Sequence, residues 1–152
     1  MKRTIKSESG RSMVEMLGVL AIIGVLSIGG IAGYTMAMNR FRANEAIDMA
    51  NKYTSLVFAQ DQTARARTGA GLAAMPTVAD LGLLVGDDAN GNTLPGGAVF
   101  SDATITDGQD AVLLTIQFPS EGVCQAAQNI ISQAGIACDD NNTLTAIRFR
   151  QS

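Results

Sequence analysis

Residues 10–38 read GRSMVEMLGVLAIIGVLSIGGIAGYTMAM, and from Met16 to Met38 there are 23 consecutive residues without a charge. At about 1.5 Å per residue this stretch makes a helix of about 35 Å, enough for a hydrocarbon core of about 30 Å. Glu15 stands at its start and Gly10 five residues earlier, behind the short basic leader MKRTIKSESG. A plain anchor has no use for a carboxylate at its apolar margin, because burying an unpaired charge is costly. Glu15 therefore either stays at the interface or meets a partner.

Downstream, residues 39–62 continue the helix in a second regime. Ala43, Ala46, Ile47, Ala50, Tyr53 and Val57 recur at three- and four-residue steps, and Arg40, Arg42, Asn44, Glu45, Asp48, Asn51 and Lys52 cover much of the remainder. Asp48 and Lys52 are spaced for an i,i+4 ion pair. The expectation is one helix over about residues 12–62, apolar all round first and amphipathic afterwards. Only the second half is suited to pack on a domain; the first needs lipid or other helices. Gly18, Gly24, Gly29, Gly30 and Gly33 dilute the apolar half at up to about 1 kcal/mol each relative to alanine. They suit close helix–helix contact, or a segment near Gly29, Gly30 and Gly33 that can unwind.

Residues 63–97 are rich in glycine, alanine and threonine and read as a connecting loop. Within it VADLGLL, started at Pro76 or Thr77 and ended by Gly86, makes a short helix. Residues 98–152 read as a small head. AVFSDATIT and AVLLTIQF have strand composition around a DGQD hairpin loop, and Pro119 ends the second strand. Ser120 is placed to cap a helix near 120–134, with Val123, Ala127, Ile130 and Ile131 on its apolar face and Gly135 as its stop. A last strand, TLTAIRFR, follows the DDNN turn. The fold class is α+β: a long helix on an antiparallel sheet of residues near 98–105, 111–118 and 143–150, with the shorter helix outside or at the edge.

Composition narrows function. There is no histidine, the commonest general base and metal ligand, and no G-x-S-x-G, so no catalytic set can be assembled. The net charge is −3; residues 1–10 carry Lys2, Arg3, Lys6 and Glu8, a net +2, so the remainder carries −5. This offers no electrostatic footing for nucleic acid. Basic residues before the apolar run and acidic ones after it keep the N-terminus cytoplasmic and send the head outward. There Cys124 and Cys138 can pair across a loop of about 15 residues, worth about 3 kcal/mol; two buried thiols are the alternative. DDANGN at 87–92 lacks the glycine position and closing glutamate of a calcium loop and reads as a turn, as does DDNN at 139–142. The G-x-G at 69–71 follows no strand, which removes the nucleotide-binding reading. Arg65 and Arg67 read as a solvated loop edge. No cofactor or metal is expected.

The basic leader, Gly10, an acid five residues on and a continuous apolar helix together resemble the class III signal of type IV pilins and pseudopilins. The likeness is close over residues 1–62 and general beyond. FPSEGVCQAAQNII, a strand ending in proline followed by a cysteine opening the next helix, resembles the type IVb branch. The resemblance implies a pilin fold with a disulfide-bounded C-terminal region and a prepilin leader of residues 1–10. It also implies cleavage after Gly10 by a membrane prepilin peptidase, methylation of the new N-terminus at Arg11, and docking into a filament helped by Glu15. In a fibre core Glu15 needs a cation, and the freed α-amine of Arg11 on a neighbouring subunit suits it; one stagger satisfies both charges and so sets the register. The chain departs from the family at Arg11, where phenylalanine is usual, and in having no proline in the apolar helix. The implied product is a major pilin, inner-membrane as precursor and extracellular as filament, raised by an assembly ATPase and membrane platform. A pseudopilin or minor pilin, and a single-span protein with an exported binding domain, are the alternatives.

Overall fold

The computed structural model describes residues 9–83, 91–106 and 111–150, with side chains from Met13 onward. The leader residues 1–8, Gly86, the 87–90 part of DDANGN and the DGQD loop lie outside the described residues. The order of elements is α1 (Ser9–Thr68), β1 (Val99–Ile105), β2 (Ala111–Gln117), α2 (Glu121–Ile131) and β3 (Thr143–Arg150). The chain divides into two compact units, residues 1–37 and 38–152.

The second unit contains the core. Ala43, Ala46, Ala50, Tyr53 and Val57 of α1 are buried as their spacing predicts; Ile47 is half-buried, and Met49, Thr54, Phe58 and Asp61 join the buried face. The sheet has the order β1-β2-β3, antiparallel throughout. Val112, Leu114 and Ile116 of central β2 point inward at alternate positions, completed by Phe100, Leu144, Ile147 and Phe149. Tyr53 meets Phe100 edge to face, with centroids 5.3 Å apart, and its hydroxyl donates to Pro76 O at 2.7 Å. Burial, and secondarily the Asp80 charge, pushes that hydroxyl up to about 12.

Both outer strands bulge opposite Thr115. Ser101 is the extra residue on β1, and on β3 Thr145 and Ala146 (φ 56°) together face it. α2 packs at the β3 edge, as expected. The Gln133 side chain there donates to Arg148 O at 2.9 Å and accepts from Arg148 N–H at 3.1 Å, occupying strand-pairing groups of that edge.

Several expected boundaries move. α1 runs six residues past 62: Ala64, Arg65 and Arg67 suit a helix, Thr63 and Thr68 return their hydroxyls to the carbonyls four residues back, and the arginines complement the C-terminal dipole. Gly69 (φ 75°) ends it. Arg65 and Arg67 are thus helical rather than loop residues. In the stretch 39–68 the ion pair that closes, among the described residues, is Arg65–Asp61 rather than Asp48–Lys52.

The expected VADLGLL helix is a single turn over residues 78–82. Thr77 and Asp80 exchange side-chain-to-backbone bonds at 2.9 and 3.1 Å, which start it and hold the Asp80 carboxyl below the usual range. Gly82, in the left-handed region, then stops it: Leu83 N–H reaches Val78 O and Gly82 N–H reaches Ala79 O.

α2 likewise ends at Ser132 (φ 50°), whose N–H bonds Gln128 O, before Gly135 is reached. Ser120 holds the N-cap position, but its side chain makes no capping bond; its carbonyl accepts from Val123 and Cys124 N–H instead. Val123 and Ala127 are buried, Ile131 is half-buried and Ile130 is exposed, contrary to the expected apolar face. Asp139 Oδ1 accepts from Asn141 and Thr143 N–H, making DDNN the turn its composition predicts.

Candidate functional site

The candidate site is the first unit's part of α1. Gly10 and Arg11 lie within helical backbone, since α1 begins at Ser9. From Met13 onward every side chain of this segment through Ala37 is exposed; Met13, Val25 and Ile28 each exceed 70%. Among the described residues α1 is the one helix long and apolar enough to cross a membrane, and none of its most apolar window is buried. The exposed apolar face is continuous around the helix and far larger than the isolated apolar residues a soluble surface tolerates. Its chemistry suits a membrane anchor or a contact among helices. Ser27 and Thr35 do not interrupt it, because their hydroxyls bond Ile23 O and Ala32 O within the helix.

Glu15 is exposed at the margin of this surface. On a helix of 3.6 residues per turn, Gly33 falls at the same azimuth as Glu15, five turns on, with Gly18 and Gly29 close to that line and Gly24 opposite. A Cβ added at Gly18, Gly24, Gly29, Gly30 or Gly33 would meet open space, and none of the five has positive φ. Nothing inside the chain therefore asks for glycine there, and the backbone stays helical across Gly29, Gly30 and Gly33. Gly29 and Gly33 stand four apart, the G-x-x-x-G spacing that lets two helix backbones approach. That spacing is present in the sequence; the face it shares with Glu15 emerges only once the helix is continuous.

Cys124 and Cys138 are joined, with Cα atoms 6.1 Å apart, the buried first turn of α2 being tied to the segment before β3. The bond lies in the head, in the other unit from Glu15.

A second polar cluster went unread in the sequence. Asp61, 3% exposed, accepts from Arg65 Nε at 2.7 Å and from Leu72 N–H at 2.9 Å. Arg65 first, and then Leu72, hold its carboxyl below the usual range. A Cβ at Gly71 would strike Asp61 and Arg65, so the G-x-G of residues 69–71 combines a helix stop with a close approach. The signal available was an acid four residues before an arginine at a helix end. Among the described residues no group of three or more histidine, cysteine or acidic side chains is placed to hold a metal.

Comparison with protein-family models, with curated proteins and with solved structures finds no match to this chain.

Proposed function

We propose that this protein is a structural subunit of a type IV pilus, its major pilin, that polymerises through the apolar part of α1. The observation that carries the proposal is a helix surface wholly exposed in the single chain, bearing one acid at its margin. Five glycines on it satisfy no need of the chain itself. A surface of this kind requires lipid before assembly and other helices after it.

In this reading the precursor sits in the inner membrane with its head outside. A prepilin peptidase removes residues 1–10, freeing the α-amine of Arg11. An assembly ATPase, acting through a membrane platform, lifts the subunit, and α1 exchanges lipid for copies of itself in a head-to-tail helical array. Glu15 then leaves water and pairs with the α-amine of a neighbour. Removing one partner of a buried pair costs about 3–5 kcal/mol, enough to select a single stagger.

The test is the mass and N-terminal sequence of the mature chain, with electron microscopy of material sheared from cells. A mature chain beginning at Arg11 and present in filaments is the expected result. A chain retaining residues 1–10 and never polymerising overturns the proposal in favour of a single-span protein with an exported domain.

A further inference from the structure

The head carries a cleft of about 340 Å³ between the start of its part of α1 and the last turn of α2, lined by Arg40, Asn44, Ala126, Asn129 and Ile130. Arg40, Asn44 and Asn129 are exposed polar side chains with hydrogen-bond donors, and no lining residue is acidic. Ile130 falls on the same helical stripe as the buried Val123 and Ala127, yet it is 42% exposed at the cleft. An apolar side chain beside a cation and two amides matches the chemistry of a phospholipid at its glycerol level, with phosphate above and acyl chain below.

The chain itself puts such molecules within reach. Arg40 follows the end of the uncharged run at Met38 by two residues, about 3 Å along a helix. If residues 16–38 span the bilayer, Arg40 stands at headgroup depth, where a guanidinium takes phosphate oxygens in pairs.

We infer that this cleft holds a phospholipid headgroup, with Arg40 on the phosphate, Asn44 and Asn129 donating beside it, and Ile130 entering the upper acyl region. The inference rests on the membrane-spanning reading of residues 16–38 and adds to it a lipid site on the head. It makes the subunit's resting place in the outer leaflet a specific contact, one that must be released before the subunit enters a filament.

The chain contains no tryptophan, so a single introduced one is a clean reporter. The full chain, reconstituted in phospholipid vesicles, is compared as Ile130→Trp, Leu26→Trp and Leu56→Trp. Quenching is by lipids carrying a nitroxide high on the acyl chain or near its end. The inference expects the indole at 130 to be quenched by the shallow probe, that at 26 by the deep probe, and that at 56 by neither. Adding Arg40→Gln to Ile130→Trp should lower the shallow quenching toward the level at 56, and Arg40→Lys should retain part of it. A reporter at 130 quenched no more than at 56, while the one at 26 is quenched, overturns the lipid site and leaves the span standing. Shielding at 130 that appears only in filaments also overturns it, giving the cleft to a neighbouring copy. No quenching at 26 removes the span, and the inference with it.

Discussion

Asp61→Ala should loosen the loop that follows α1, and the size of the effect can be worked from its contacts. The Arg65–Asp61 pair, with Arg65 about a third exposed, contributes about 0.5–1 kcal/mol. Leu72 N–H, part-buried, loses a charged acceptor at 2.9 Å, a loss of about 1.5–3 kcal/mol. Together these destabilise the head by about 2–4 kcal/mol, or about 8–16 °C in melting temperature for a domain of this size. Gly71→Ala disturbs the same contacts from the other side, because its new Cβ strikes Asp61 and Arg65; overpacking of this sort costs about 1–3 kcal/mol. With Asp61 already alanine much of that collision is gone, so the double variant should lose less than the sum of the single losses.

The assay is thermal unfolding of the full chain in detergent, followed by near-ultraviolet circular dichroism of its tyrosines, with hydrogen exchange at Leu72 as a local probe. The acid dependence has a definite sign. Because the folded carboxyl lies below its ordinary value, its stabilisation is complete above about pH 4 and is lost as pH falls through the lower, folded value. The difference between wild type and Asp61→Ala should hold level from neutrality to about pH 4 and shrink below. Equal melting temperatures, or strictly additive losses in the double variant, would refute this reasoning.

Glu15→Ala should leave the subunit membrane-inserted and cut but poorly assembled, as measured by filament counts against membrane-held protein; normal filaments would remove the role proposed for that acid. Gly10→Val should leave an uncut precursor, heavier by the mass of the leader on intact-protein mass spectrometry. Replacing Cys124 and Cys138 together by serine should cost about 3 kcal/mol, seen as a lower melting temperature that no longer responds to reductant. Ser132→Gly should stabilise α2 by about 0.5–1 kcal/mol, because the residue occupies the left-handed region without a glycine, and slower exchange at the end of α2 is the measure.

The sequence by itself determined the elements whose signal is local and repeated. The uncharged run marks a helix that cannot be buried in so small a head, the three- and four-residue steps of Ala43 to Val57 choose the inner face, and alternation in AVLLTIQF marks the central strand. The two cysteines of the head offered one disulfide, and the structure closes it. Tertiary structure decided the contacts between segments far apart in the chain. It brought Leu72 back onto Asp61, laid Gln133 along Arg148, and set α2 so that Ile130 faces a cleft beside Arg40 while Val123, on the same stripe, is buried. It also made Gly82 the stop of the 78–82 turn and chose Ser132 over Gly135 as the stop of α2. A left-handed turn forms where the chain must leave its helix to reach the next packed segment, and glycine is only the cheapest residue to make it. Periodicity reports which face of an element is apolar; which distant polar group meets it depends on how the elements assemble, and no single segment encodes that.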